Sequence, residues 1–160
     1  MGSTSDLPVM EKACKWLDDN EIPFEVNALS AHRTPDAVEA FAKGAQERGI
    51  KVIIAAAGMA AALPGGIAAS TNLPVIGVPI KGMLDGLDAM LSIIQMPPGI
   101  PTATVGVNAA QNAAILAAQI IGLSDSAVAA KVAAHKAGLG AKIEKANKDL
   151  AEVKYNFKTN

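Results

Sequence analysis

Apolar and polar positions along this chain change period every ten to twenty residues, and the changes mark out an alternation of strands and helices. Behind Ser5-Asp6, which read as a helix cap, Met10, Cys14 and Leu17 recur on one helical face, with Pro8 tolerated in the first turn. Pro23–Ser30 (PFEVNALS) reads as a strand entering a short loop. Thr34-Pro35-Asp36 then opens a helix, with Thr34 as cap, Pro35 in its first position and Asp36 at the positive end of the dipole. Val38, Phe41 and Ala45 carry that helix to a stop at Gly49.

Lys51–Gly58 (KVIIAAAG) is a continuous apolar run, the mark of a strand covered on both faces. An Ala-rich helix follows Pro64. Pro74–Ile80 (PVIGVPI) is a further strand, Asp85–Gln95 a helix, Thr102–Val107 a last strand and Gln111–Ile121 a helix ended by Gly122. Such regular alternation predicts an α/β fold, a parallel sheet wrapped by helices on both faces. No repeat or linker divides residues 1–160, so they read as one domain with a helical tail over 125–160. In that tail Val128, Val132, His135, Leu139, Ile143, Ala146, Leu150, Val153 and Phe157 follow steps of about 3.6 residues, the α-helical period. Gly138 and Gly140 are expected to weaken or bend it.

Composition narrows the function. Fourteen Lys+Arg against fifteen Asp+Glu give a net charge of −1, which provides no basic footprint for nucleic acid or an anionic membrane. Seven of the basic residues lie in the tail and read as a solvated face opposite its apolar stripe. The chain is 51% hydrophobic but 3% aromatic, with 32 alanines, so its core is built from small and aliphatic side chains that pack closely. Cys14 is the single cysteine, which excludes an internal disulfide or a Cys-cluster metal site. No signal peptide and no membrane-length apolar run is visible, and a cytoplasmic protein is the expectation.

In open α/β sheets, ligands sit beyond the carboxyl ends of the strands. Four segments qualify: Gly2–Asp6, Ser30–Pro35, Gly58–Gly66 and the loop around Lys81–Asp85. Ser3, Ser5, Ser30 and Arg33 suit a phosphate, and Asp6 suits ribose hydroxyls. Neither the Walker pattern nor G-x-G-x-x-G is present, which removes most support for ATP hydrolysis or dinucleotide redox chemistry. Of the two histidines, His135 lies on the apolar stripe of the tail and reads as a packing residue. His32 stands between a strand end and a helix start; from spacing alone, a functional imidazole and a loop imidazole bonded to backbone weigh about equally.

Together Gly2-Ser3-Thr4-Ser5-Asp6 and Ser30-Ala31-His32-Arg33-Thr34-Pro35 resemble class I 5-(carboxyamino)imidazole ribonucleotide mutase of purine biosynthesis, the phosphoribosylaminoimidazole carboxylase catalytic subunit family. Ala60–Gly65, Pro74–Pro79, Ser92–Pro97 and Asn112–Gln119 continue the likeness in family order, from Met1 to near Gly122. The resemblance implies a flavodoxin-like three-layer α/β/α sandwich, a homo-octamer with sites at subunit contacts, a ribonucleotide substrate, and neither metal nor organic cofactor. It also implies an isomerase that moves a carboxylate from the exocyclic nitrogen to carbon 4 of the imidazole. His32 matches the general acid/base; Ser3, Ser5 and Asp6 match the nucleotide-binding start; Ser30 and Arg33 match phosphate contacts. Gly58, Ala61 and Leu63 are the expected substrate contacts from the Ala57–Gly66 loop, whose small side chains admit close backbone approach.

The chain departs from the family pattern in places. Ala62 stands where a second histidine is usual, Ala56-Ala57-Gly58-Met59 replaces G-A-G-G, and Gly66 replaces a common Met. The family also carries an apolar strand before G-S-x-S-D, and a sheet lacking it is expected to leave two neighbours unpaired. Direct carboxylation of aminoimidazole ribonucleotide by free carbon dioxide, as in the class II enzymes, stays open as an alternative. So does a ribonucleotide-binding module without catalysis.

Overall fold

The alternation of side chains along two central strands organises the molecule, which a computed structural model describes over residues Met1–Asn160. Strand β1 (Ile53–Gly58) pairs in parallel with β2 (Val75–Ile80), Ile53 opposite Val75 and Gly58 opposite Ile80. Ala56, Ile76, Val78 and Ile80 point to one face, where they meet α1 (Leu7–Asp19) and α5 (Ala110–Gly122). Ile53, Ala55, Ala57 and Val75 point to the other, against α2 (Pro35–Gly44), α3 (Ala62–Ala68) and α4 (Leu87–Ile94). Strands buried on both faces explain the unbroken apolar runs of the sequence.

Alanine sets the spacing of these layers. Ala113, Ala114, Ala117 and Ala118 of α5, with Ala13 of α1, are all buried, so two helices lie close over one face with few bulky side chains between them. On the opposite face α4 rides directly on Gly77: a Cβ built there would stand 2.3 Å from Ile93 Cγ2. Only glycine lets that helix approach its strand so closely.

The third strand, β3, is short. Thr102–Val107 was expected to be a full strand, but β3 spans only Ala103–Thr104 and pairs with Ile76–Gly77 of β2. Beyond it Val105 N–H still reaches the Gly77 carbonyl at 3.2 Å. Pro101 and Gly106 flank this run, one without an amide donor and the other without a side chain to pack, and the ladder stays short.

The predicted strand Pro23–Ser30 does not form. Residues Pro23–Ala28 are strand-like in sequence yet belong to no ladder, and the three-stranded order is β1-β2-β3. Arg48 holds the run by its Glu25 side chain (3.1 Å), but between Pro23 and Leu29 its backbone is held only at the far end, by Met1, which Gly2 joins to β1. The Met1 amine donates to the Asn27 carbonyl (2.9 Å), Leu29 N–H donates to the Met1 carbonyl (2.9 Å), and Gly2 N–H donates to Ala56 of β1 (3.1 Å).

Helix α6 (Ser126–Ala151) is capped by Asp125, whose carboxylate accepts from Ala127 and Val128 N–H. It runs through Gly138 and Gly140 without interruption. The helix ends before Val153 and Phe157, which the sequence pattern places on its stripe. There Lys158 folds back, its ammonium donating to the carbonyls of Ala151 and Val153 at 2.9 Å each, and a cation at a helix C-terminus satisfies the last acceptors. Val128 and Val132 pack on the α1–α5 layer, and Trp16 Nε1–H donates to His135 Nδ1 at 3.1 Å. That bond gives His135 the packing role its position suggested. No residue of α6 is buried, and Leu139, Ile143 and Leu150 are exposed. No helix is long and apolar enough to cross a membrane.

Candidate functional site

Three loops meet at the carboxyl edge of β1. Gly2–Asp6, Ser30–Arg33 and Ala57–Leu63 together enclose a hollow of about 190 Å³. All nine predicted site residues line it: Ser3, Ser5, Asp6, Ser30, His32, Arg33, Gly58, Ala61 and Leu63. The fourth segment singled out in the sequence, around Lys81–Asp85, does not border the hollow; Lys81 there pairs with the exposed Asp85.

The first loop holds itself. Ser3 Oγ accepts from Ser5 N–H at 3.2 Å, while Asp6 Oδ2 accepts from Ser3 N–H at 3.3 Å and Asp6 Oδ1 from the Ser5 hydroxyl at 3.4 Å. This reciprocal capping box begins a single turn, Thr4–Asp6, that leads into α1. Ser3 caps this turn, while Asp6 holds the N-cap position of α1, within the Ser5-Asp6 pair the sequence pattern favoured, without a side-chain cap bond of its own to that helix. Asp6 is the one buried charged residue of the chain, at 8% exposure. An ionised carboxylate has about four acceptor positions, so two protein donors leave room for ligand hydroxyls.

The second loop is a set of short closures. Thr34 Oγ1 accepts from Ser30 N–H (3.0 Å) and donates to the Ser30 carbonyl (3.2 Å), which also accepts Thr34 N–H (2.8 Å). Thr34 makes no side-chain cap to α2, because its hydroxyl is committed to Ser30. Ser30 Oγ accepts from both the backbone N–H (3.2 Å) and the Nε (3.1 Å) of Arg33. With its acceptor sites taken, that hydroxyl keeps its hydrogen free to donate. Arg33 also reaches across to the Gly2 carbonyl with Nη2 at 3.1 Å, tying the two loops together. A guanidinium has five N–H donors, so most remain for an anion. The His32 side chain is exposed between these groups, and its ring has no hydrogen-bond partner in the chain. The structure thus removes the reading of His32 as a loop imidazole bonded to backbone.

The third loop is strained where it faces the hollow. Met59 and Ala61 adopt left-handed conformations, φ 50° and 36°, and Ala61 N–H closes a turn on the Gly58 carbonyl at 3.0 Å. Non-glycine residues in this region cost about 1–2 kcal/mol each, and such strain gathers at functional sites. Ala57, Ala61 and Leu63 form a buried apolar floor, whereas the side chain of Met59 is 62% exposed at the rim. Gly2, Ala31, Ala57, Met59 and Ala62 also line the hollow. None of the five was among the predicted contacts; Ala57, Met59 and Ala62 entered the sequence reading only as parts of a loop or as departures from the family pattern, since their side chains carry no chemical signature of their own. No three His, Cys, Asp or Glu side chains converge anywhere as metal ligands.

The chain is similar to known proteins in sequence and in fold. The family model described as AIR carboxylase matches residues 1–142. The N5-carboxyaminoimidazole ribonucleotide mutase of Pyrococcus abyssi is 60% identical over 124 residues, 77% of this chain and 71% of that protein. The enzyme of the same name from Thermotoga maritima is 50% identical over 156 residues, covering 97% of this chain and 91% of that one. Among solved structures, PurE of Treponema denticola superposes with a TM-score of 0.83 at 30% identity, covering 94% of each chain. The layered parallel sheet is accordingly flavodoxin-like, as the sequence resemblance implied.

Proposed function

The chain belongs to the AIR carboxylase family, and from that premise we propose that it works as an N5-carboxyaminoimidazole ribonucleotide mutase, an isomerase of purine biosynthesis. The observation that carries the residue-level reading is the placement of His32. It is an unpartnered imidazole at the mouth of a hollow whose other polar groups are fixed by the chain.

The roles follow from what each group has left to give. Arg33 and the Ser30 hydroxyl offer free donors to the phosphate, joined by Ser3, whose hydroxyl hydrogen is likewise uncommitted. Asp6 accepts from the ribose, with Ser5 holding its carboxylate in place. These contacts anchor the nucleotide and bring its imidazole toward His32. An N-carboxylate is labile: protonation of its nitrogen by His32 releases carbon dioxide and the free amine. Carbon 4 then attacks carbon dioxide, and the ring hydrogen left on that carbon returns to the now neutral His32, which restores aromaticity. One imidazole gives a proton and takes one back, so the enzyme ends as it began.

Carbon dioxide must be retained between the two halves. Gly58, Ala61 and Leu63 supply that corner, with an apolar floor of small side chains that lets backbone N–H groups approach the carboxylate. Relatives named as the mutase are 50–60% identical to this chain, which supports intramolecular transfer over capture of free carbon dioxide. Replacement of His32 by Asn keeps shape and polarity but removes the proton carrier. Turnover should fall by about 10²–10⁴-fold, with nucleotide binding and assembly mass unchanged. Near-normal turnover would end the assignment. Substrate binding without any turnover in the unmodified protein would favour the non-catalytic module.

We also place the enzyme in the cytoplasm as a homo-octamer, with residues 1–160 forming one mutase domain and 125–160 as a tail packed on a neighbouring subunit. Support comes from exposed apolar side chains in two places: Met83, Leu84, Leu87 and Leu91 around the start of α4, and Leu139 and Ile143 on α6. Apolar surface of this extent marks an interaction site in a soluble protein. Truncation after Lys136 keeps Val128, Val132 and His135 in place and removes the exposed stripe. Light scattering should then report a smaller assembly; an unchanged mass refutes the tail's role.

A further inference from the structure

Helix α6 is seated on the body of the molecule by one face near its start. Val128 and Val132 pack on the α1–α5 layer, and His135 follows them on the same face at the spacing i, i+4 and i+7. The half-buried His135 ring stands edge-on to Trp16, with centroids 5.4 Å apart and planes at 87°. Trp16 is itself buried, and its indole N–H ends on His135 Nδ1 at 3.1 Å. Beyond His135 no side-chain hydrogen bond joins α6 to α1 or α5. Gly138 and Gly140 follow directly, each with open space where a side chain would stand, and glycine weakens a helix interior. The last bond between tail and body is thus made just where the helix loses its contacts.

That bond fixes the protonation state of the ring. An indole N–H can only donate, so Nδ1 must present a lone pair, which a neutral imidazole does with its hydrogen on Nε2. A protonated ring carries hydrogen on both nitrogens, and its Nδ1–H opposes the indole N–H. The buried indole then loses its one partner. Neighbouring charges offer the cation no compensation. Helix α5 contains no titratable side chain. On α1, Lys12 lies one turn before Trp16 and Asp19 one turn after it, and Asp19 is already paired with Lys15 at 3.0 Å. Glu11, Cys14 and Asp18 fall off that face of α1. Past the end of α1, Glu21 is paired with Lys131 of α6 at 3.3 Å. On α6 itself, Lys131 and Lys142 share the face of His135 and Lys136 follows it directly. The two carboxylates in this neighbourhood are engaged, and the other charges are cations.

We propose that the His135–Trp16 bond is a pH-operated latch, which holds the tail helix on α1 while the ring is neutral and frees it from His135 onward when the ring takes a proton. The latched state selects the neutral imidazole. Lowering the pH through the range in which imidazoles titrate, about 8 to 5, therefore opens the latch, and raising it closes the latch again. Val128 and Val132 keep the first turns seated by apolar contact, which no proton alters. What changes is the direction in which α6 leaves the body, with the glycines as the joint. The inference does not depend on the mutase reading, because neither Trp16 nor His135 borders the nucleotide hollow.

The chain holds one tryptophan and two histidines, so each group reports separately. NMR of the full chain follows the Trp16 indole N–H and both imidazole rings from pH 8 to 5. The indole resonance should move in one step whose midpoint is that of the His135 ring, and the match should persist in His32→Asn. Exchange of the indole hydrogen, corrected for its intrinsic pH dependence, should quicken about tenfold across the step, as expected for the loss of one buried bond. The amides of Lys136–Leu139, in the turn after the latch, should lose protection with it. His135→Gln supplies an acceptor that cannot take a proton in this range, so its indole resonance should stay where it is at pH 8. An indole that ignores the His135 titration in the unmodified chain overturns the proposal, as does a His135 that takes no proton between pH 8 and 5. So does a step that survives in His135→Gln, or a step that leaves the amides of Lys136–Leu139 unchanged.

Discussion

Phe24–Ala28 and Ser30–Thr34 are neighbouring five-residue stretches of one chain, and they treat their backbone polar groups in opposite ways. In Ser30–Thr34 the bonds close within four residues: Ser30 with Thr34, Arg33 with Ser30, and one reach across to Gly2. In Phe24–Ala28 no amide has a backbone partner. The first stretch carries its own instructions, because side-chain hydroxyls stand in for distant backbone. The second needs a partner strand, and no local residue can replace one. A loop site can thus be fully assembled from local bonds alone, directly beside a run that has none.

Hydrogen exchange exposes this contrast most strongly. Amides of Phe24–Ala28 should exchange near free-peptide rates, while Ala55 and Ala57 within β1, whose N–H groups face β2 in the register that Ile53 N–H sets with the Pro74 carbonyl, exchange slower by at least about a hundredfold. Exchange resolved by residue with NMR checks it. Comparable protection in both would mean that Pro23–Ala28 is paired in solution and the contrast is false.

Arg33 sharpens the other half of the comparison. Its fork holds Ser30 Oγ and the Gly2 carbonyl at once and still faces the hollow, a geometry that a single ammonium cannot reproduce. Arg33→Lys should raise KM by about tenfold, with kcat changed far less, because the contact is made to the phosphate in ground and transition states alike. An equal fall in kcat at unchanged KM would move Arg33 from anchoring to the chemical step.

The two stretches also show what was legible in the sequence. Local chemistry was: hydroxyls, Arg33 and His32 beside a helix start marked the site, and the structure gathers all nine predicted residues around one hollow. The apolar runs of β1 and β2 were equally plain, since burial on both faces writes itself into composition. Pairing was not legible from the pattern of the run itself, only from the family likeness, which implied two unpaired neighbours. PFEVNALS has a strand's pattern, but a ladder is a property of two segments, and periodicity in one says nothing about whether the other is present. β3 fell short for a similar reason, its ladder bounded by Pro101 and Gly106. At Thr34 a sound cap signal was met by a stronger local use of the same hydroxyl. The end of α6 was set by Lys158 reaching back to free carbonyls, a tertiary contact that the apolar stripe does not encode.

Met1 joins the two stretches, bonded to the unpaired run by its amine and carbonyl and followed directly by the site loop. Desolvation lowers the pKa of its amine below the ordinary 8.0, with the negative charge of Asp6 opposing the shift in part. A base whose pKa is depressed by folding binds fewer protons folded than unfolded across the interval between the two values. Stability therefore rises with pH through that interval, which ends near the ordinary value of 8.0, and levels off above it. The effect is a small shift in urea midpoint that should vanish once Met1 is acetylated and its charge removed. Should the slope survive acetylation, the pH dependence belongs to another group, and Met1 serves only through its backbone bonds to Asn27 and Leu29.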